Sequence, residues 1–339
     1  MVGGEAVRRL FAVAMVLLGG CAGRQTPLAP EGDQAGHLFT LFTLMMVVTA
    51  AFYLLVLGFL GWGAWRARGQ WSRAVAPVLN PPDIGLSRSL LIWAGLIITG
   101  LFLLVGGSFV AERALASARA REALQVSVTG HQWWWRIQYR DPATGAVVET
   151  ANELHLPVGR TARIELGAAD VIHSFWVPNL SGKLDMIPGR ANSVDITPRR
   201  VGWYRGQCAE FCGAQHAHMA FSVKVDTPAE FAAWLAAQAR PAATPDDAAT
   251  ARGQQVVAQG QCAMCHVIRG TGATGRAGPD LTHVGSRRTL AAGTLVNTRG
   301  GMQGWIAQPQ AIKPGTMMPP VALDPADADA VSRYLETLK

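Results

Sequence analysis

Cys208-Ala209-Glu210-Phe211-Cys212-Gly213-Ala214-Gln215-His216-Ala217-His218-Met219 places two thiols, imidazole and a thioether within one short loop, close enough to converge on a point. Thiolate and thioether sulfur are soft ligands that suit copper, and imidazole suits copper, zinc, iron and nickel, so the mixture leans toward copper. Zinc is a rival, because two cysteines and a nearby histidine can seat a tetrahedral ion, although zinc has no use for Met219. A disulfide between Cys208 and Cys212 is a third reading for an exported domain, since oxidising compartments favour that bond. His218 lies two positions beyond His216; in an extended strand both rings would share a face, so spacing alone leaves it in contention as a ligand.

Three upstream segments extend the pattern: His173-Ser174-Phe175-Trp176-Val177-Pro178-Asn179, Lys183-Leu184-Asp185-Met186-Ile187-Pro188-Gly189-Arg190 and the aromatic run Gly130-His131-Gln132-Trp133-Trp134-Trp135. From about Gly130 to Phe221 the chain resembles subunit II of haem-copper cytochrome c oxidases. The resemblance implies a binuclear copper centre, CuA, in which Cys208 and Cys212 bridge two coppers and His173 and His216 bind one each. Met219 is then a weak ligand and Glu210 contributes its backbone carbonyl. It further implies that the Glu210 side chain helps hold a magnesium ion against the catalytic subunit, a role that suits a hard carboxylate oxygen. The family pattern does not use His218, which reads as a surface histidine. Two thiolates shared by two metals spread the charge of one electron, which suits electron transfer rather than substrate activation.

Around these motifs the sequence alternates apolar with polar at Val126–Thr129, Arg136–Tyr139, Ala162–Leu166 and Ser193–Ile196, separated by glycine and proline turns. That pattern predicts a small all-β sandwich or barrel. The resemblance implies a cupredoxin-like Greek-key domain over about residues 117–239, with the copper loops at one end and a short amphipathic helix from Thr227 to Ala239 closing it. Three consecutive tryptophans cannot all face one side of a strand, so at least one is expected at the surface. Carried over from the family, Trp133 is expected to be an exposed indole through which electrons enter.

After a linker at 240–249 with two prolines, expected to be an extended, semi-rigid spacer, comes Cys262-Ala263-Met264-Cys265-His266. This is a c-type haem attachment motif: the two thiols bond covalently to the porphyrin and the adjacent imidazole ligates the iron. Zinc and a redox-active cysteine pair are the competing readings. Gly278-Pro279-Asp280-Leu281 and Lys313-Pro314-Gly315-Thr316-Met317-Met318-Pro319 resemble the segments that flank the haem in small class I cytochromes c. The resemblance implies an all-α domain over 250–339, a proline carbonyl bonded to His266, and Met318, immediately before proline, as the sixth ligand. Residues 251–259 and 325–338 fit its terminal helices. Ligation by methionine and histidine fills both axial positions and raises the potential, which suits a carrier rather than a dioxygen-binding site.

At the other end, Arg8-Arg9 and the apolar run Leu10 to Leu18 read as a secretory signal over 1–20. Leu18-Gly19-Gly20-Cys21 resembles a bacterial lipobox, which makes Cys21 a candidate for lipidation, with a plain signal peptide as the alternative. Residues 21–36 read as an exposed tether. From His37 to about Trp65, and from Ser89 to about Val110, the chain is apolar for longer than the ~20 residues a helix needs to cross a bilayer. The segment between them carries Arg66, Arg68, Arg73 and Arg88 against Asp83 and is expected in the cytoplasm, so 37–116 form a transmembrane hairpin with both ends outside. Many members of the resembled family have a glutamate near the start of the second helix, where this chain reads Ser89-Leu90-Leu91-Ile92-Trp93. A polar and helical crossing is expected over Glu112 to Glu122.

Half of the 339 residues are hydrophobic, and the net charge of +7 comes without a basic run, so nucleic-acid binding is not indicated. The chain is therefore expected to be the cytochrome-c-fused electron-transfer subunit of a caa-type terminal oxidase in a bacterial inner membrane, with its soluble domains in the periplasm. Its expected partners are subunit I and the other oxidase subunits, with quinol:cytochrome c reductase or another cytochrome c as donor. Electrons would run from haem c to CuA and on to subunit I, where dioxygen reduction and proton translocation belong. A membrane-tethered copper or electron carrier that never joins an oxidase is the competing class.

Overall fold

The computed structural model describes residues 23–68, 84–117, 123–140 and 145–339. The signal segment, Cys21, Arg73 and Asp83 lie outside the described residues.

The alternation read from the sequence becomes two five-stranded sheets. The first runs in the order β3 (Val147–Ala151), β2 (Trp134–Arg140), β1 (Leu124–His131), β5 (Ala162–Ala168) and β8 (Asn192–Ile196). The second runs in the order β4 (Glu153–Pro157), β10 (Ala220–Asp226), β9 (Gly202–Cys208), β6 (His173–Trp176) and β7 (Leu184–Met186). Because successive side chains on a strand point to opposite faces, Leu124, Val126 and Val128 of β1 turn inward, as do Trp135, Ile137 and Tyr139 of β2. Each such burial stabilises the fold by roughly 1.5–3 kcal/mol. At the end of the core nearest the copper loop, the rings of Trp135 and Phe175 each approach Phe221, both at 5.1 Å between centroids. Gly206 stands directly opposite Phe221 across the β9–β10 pair, and any side chain there would collide with that ring. The loop from Ala209 to Met219 is thus a connection between two paired antiparallel strands anchored on an aromatic cluster.

The closing helix is Pro228–Ala239; Thr227 and Glu230 form a reciprocal capping box at its start. Among the C-terminal elements, helix Ala248–Gln259 crosses helix Pro325–Thr337 at Gly253, where the backbone of Ala330 leaves no room for a Cβ. Val257, Val331, Tyr334 and Leu335 fill the core of this domain.

The two long apolar helices form a unit of their own. They span Asp33–Ala67 and Ile84–Ser117, and their spanning candidates, Asp33–Ala67 and Ser87–Ala114, are long and apolar enough to cross a membrane while burying almost nothing inside the protein. Within the unit Gly100 sits against the Phe52 ring and Gly107 against Leu44, so small residues let the helices approach. The polar crossing expected from Glu112 continues the second helix to Ser117; the remainder, through Glu122, lies outside the described residues.

One expectation needs correction. The segment from Gly23 to Ala35 is not an exposed tether but lies along the β-domain. The buried Asn179 side chain donates to the carbonyls of Gly23 and Ala29 (3.0 and 2.9 Å) and accepts from Thr26 N (3.1 Å). Glu31 pairs with Arg200 at 2.8 Å and Asp33 with Arg199. Exposed ion pairs contribute about 0–1 kcal/mol, so the buried amide is the stronger attachment. The linker is extended and is held at two points: Ala242 N donates to Arg269 O (2.8 Å) and the Arg240 carbonyl meets His283 Nε2 (3.1 Å). The C-terminal domain also contacts the β-domain directly, through Gln215 Nε2 to the Pro314 carbonyl (2.8 Å) and Arg288 N to Glu153 (3.1 Å).

Candidate metal centres

In the copper loop the Sγ atoms of Cys208 and Cys212 are free thiols 3.7 Å apart. His173 Nδ1 stands 3.9 Å from Cys208 Sγ, and His216 Nδ1 stands 3.7 Å from Cys212 Sγ. Met219 Sδ is 3.7 Å from Cys212 Sγ, and the Glu210 carbonyl oxygen is 3.2 Å from Cys208 Sγ. His173, Cys208, Cys212 and Met219 are all buried. The loop and the start of β6 thus bring together the six residues that the sequence nominated, and His173, Cys208 and Cys212 alone form a cluster that could hold a metal ion. A methyl group at Gly130 would stand 2.8 Å from His173 Cδ2, so the strand must carry glycine where the ring passes.

Electrostatics divides the thiols. Its partner Cys212 holds Cys208 far below the usual thiol range, against the opposing effect of burial and with help from His173. Cys212 is pushed up by Cys208 and by burial. One proton leaves such a pair readily, and the second leaves to a cation, which is how metals claim thiolates. Two sulfurs, two imidazole nitrogens, a thioether and a carbonyl fit a soft dicopper centre better than a single tetrahedral ion.

Asp170 was not nominated by the sequence. It meets His173 Nε2 at 2.8 Å and accepts from Gln132 N and Val171 N, each at 2.7 Å. Burial would raise its carboxyl, but the bonds from His173 and the two amides outweigh this and hold it below the usual range. The effect is to fix the ring with Nδ1 toward Cys208, a carboxylate–histidine arrangement common around ligated metals. Its spacing three residues before His173 was the available signal. His218 is exposed, as expected, but the segment His216–His218 is a 3-10 turn rather than a strand, which separates the two rings. The Glu210 carboxylate is partly exposed.

In the C-terminal domain Cys262–Cys265 forms a single helical turn ending at His266. His266 Nδ1 lies 2.8 Å from the Pro279 carbonyl and so donates to it, which leaves Nε2 free. Burial lowers the His266 pKa, so the ring is neutral and fit to be a ligand. Gly278 is packed on that ring: a methyl there would be 2.6 Å from Cε1. Met317 is 86% exposed, whereas Met318 is half-buried. Arg287 is buried and donates to the Asp280 carbonyl, while its Nε has no hydrogen-bond partner among the described residues.

The aromatic run departs from expectation. Trp135 is fully buried, Trp134 reaches the surface half-buried and stacked on His131, and Trp133 is only 8% exposed. The exposed entry expected at Trp133 is covered by the chain's own C-terminal domain. Its Nε1 donates to the Cys212 carbonyl at 2.9 Å, and a methyl group at Gly315 would stand 3.4 Å from its Cη2. Gln215 Nε2, from the copper loop, donates to the Pro314 carbonyl at 2.8 Å. Away from this contact, the Arg288 guanidinium lies 4.4 Å from the Trp203 ring centroid, and Arg288 N donates to Glu153 at 3.1 Å.

Residues 124–226 match the family described as cytochrome c oxidase subunit II, periplasmic domain, and residues 250–339 match cytochrome c. The chain is 30% identical to cytochrome c oxidase subunit 2 of Alkalihalophilus pseudofirmus over 96% of this chain and 94% of the relative. It is 28% identical to cytochrome c oxidase subunit 2 of Bacillus subtilis over 97% and 96% of the two chains. It is also similar to a crystal structure of the periplasmic domain of subunit II of cytochrome oxidase from Bradyrhizobium japonicum, with 32% identity and a TM-score of 0.31 over 33% of this chain and 91% of that one.

Proposed function

Because the chain belongs to the cytochrome c oxidase subunit 2 family, we propose that its cytochrome domain takes electrons from an external donor and delivers them to its own copper loop. From there they pass to the catalytic subunit of a terminal oxidase. The observation that carries this reading is the Trp133 indole, bonded at one edge to the Cys212 carbonyl and packed at the other on Gly315. Gly315 precedes Met318 by three residues, so one ring spans the two ligand loops.

When bound, the dicopper centre and the haem each accept and release a single electron with little rearrangement. His173, Cys208, Cys212, His216, Met219 and the Glu210 carbonyl would hold the former; Cys262, Cys265, His266 and Met318 would hold the latter. Around them this chain's residues keep the geometry fixed. Asp170 orients His173, the Pro279 carbonyl orients His266, and the buried aromatic cluster of Trp135, Phe175 and Phe221 excludes water from beneath the copper loop. The half-buried Met318 supports its choice over the exposed Met317.

The partners are the other oxidase subunits, and two membrane-crossing helices anchor the chain. The setting we propose is a bacterial inner membrane with the soluble domains on its outer face and a cytochrome c or quinol:cytochrome c reductase as donor. Binding of magnesium by Glu210 and lipidation of Cys21 rest on resemblance alone. The test is Trp133→Leu in the assembled oxidase: both metal-centre spectra persist while haem c reoxidation by the copper centre slows. An unchanged rate contradicts the reading.

A further inference from the structure

The C-terminal domain contributes one cation to the contact between the two soluble domains that neither redox site requires. Lys313 is 2% exposed, and its Nζ donates to three backbone carbonyls: Trp133 O at 2.8 Å, His218 O at 2.9 Å and Ala291 O at 3.0 Å. Burial lowers the Lys313 pKa from 10.5 to about 7, and the charged form, with three donors and no acceptor, finds one carbonyl for each N–H. A buried charge is tolerated only when paired or fully hydrogen-bonded, which makes the arrangement all-or-none. The three carbonyls come from separate places: the aromatic run, the copper loop, and a tight turn of the cytochrome domain itself.

That turn is built for the contact. Ala291 and Ala292 both have positive φ, 51° and 57°, a conformation that alanine adopts at a cost. It aims the Ala291 carbonyl at Lys313 and the Ala292 carbonyl at the amide of Ala220, at 3.0 Å, on the first residue of β10. Strain persists where surrounding structure over-determines it, and here both strained residues serve the domain contact.

We propose that Lys313 is a positioning residue that clamps the methionine-bearing loop of the cytochrome domain onto the copper loop, setting the contact of Gly315 with the Trp133 indole. It grips the backbone on both sides of that contact: at Trp133 itself and at His218, next to Met219. Gln215, bonded to the Pro314 carbonyl, adds one further tie to the same loop. An apolar side chain of similar length cannot replace the clamp, because it leaves the carbonyls of Trp133 and His218 without this donor, while the Ala291 carbonyl keeps a bond from Thr294 Oγ1 at 2.7 Å.

The inference rests on the proposed transfer between the two domains, and two readouts separate them. In the assembled, fully oxidised enzyme, dipolar paramagnetic resonance between the haem c iron and the dicopper centre should give one narrow distance distribution. In Lys313→Met the individual optical and copper spectra should be retained, the distribution should broaden, and haem c reoxidation should slow by about tenfold or more, the scale expected for misplaced reacting groups. A distribution as narrow as in the native chain overturns the clamp. A narrow native distribution with no transfer within the chain instead overturns the electron-transfer reading and leaves the clamp standing. Should the variant fail to assemble, amine-reactive labelling of the native enzyme decides: the exposed Lys183 and Lys339 should react and Lys313 should stay protected. Labelling of Lys313 as fast as theirs overturns the proposal.

Discussion

The indole N–H of Trp133 donates to the carbonyl oxygen of Cys212 at 2.9 Å, so an aromatic side chain from one strand end is fixed to the backbone of a copper-loop cysteine 79 positions away. The same ring is packed on Gly315 of the cytochrome domain. In a chain without that domain this indole would face solvent, open to a soluble donor. Here the fused domain occupies that face, and under the proposed function an external donor would deliver its electron to the C-terminal domain instead.

The copper ligands should fail in graded fashion. Cys208→Ser or Cys212→Ser removes a buried sulfur proposed to bridge two coppers and should abolish the mixed-valence dicopper signal in paramagnetic resonance. Met219→Leu keeps the packing volume but loses a weak thioether, so it should retain the signal with an altered spectrum and potential. A native copper spectrum in the Cys208 variant would contradict the assignment.

Met317 and Met318 should separate cleanly. Replacing the half-buried Met318 should remove the weak long-wavelength sulfur-to-iron band and lower the haem potential, while replacing Met317, 86% exposed, should leave the band in place. The opposite result would mean that the register of the loop is off by one residue.

His155 makes stability depend on pH. Burial lowers its pKa, but bonds to Asp226 (2.7 Å) and Glu153 (3.2 Å) outweigh this and the net shift is upward from 6.5. A histidine raised on folding stabilises the fold fully below its unfolded pKa, and that contribution disappears as pH rises through the folded value. Amide protection in β4 and β10 should therefore decline as pH increases above 6.5, and His155→Phe, which preserves an aromatic ring against Trp234, should flatten the decline. Protection in the native chain that does not change with pH would rule out this coupling.

Local chemistry made the ligand loops legible: thiols, imidazoles and a thioether at short spacing announce a soft metal, and strand alternation announces the sandwich that carries it. The paired helices and the haem attachment residues were readable for the same reason, since each is decided by neighbours in sequence. What was not legible depends on contacts between distant segments. Nothing near Asn179 shows that its amide ties down Gly23 and Ala29, so that segment read as a free tether. Lys313 had no role of its own in the methionine-bearing motif it opens, because its acceptors lie on Trp133, His218 and Ala291. Trp133 was expected in solvent because a family position carries no information about a second domain placed over it. Asp170 was closer to visible, three residues from the histidine it orients.

The central claim is that electrons pass from haem c to the copper loop within one chain, across a contact that is already made. Photoreduction of haem c in the detergent-solubilised enzyme, followed by its reoxidation, tests this directly. The docked arrangement predicts a first-order process whose rate constant does not change when the enzyme is diluted, or when excess soluble cytochrome c is added. A rate that falls in proportion to enzyme concentration would mean transfer between molecules and would contradict the account.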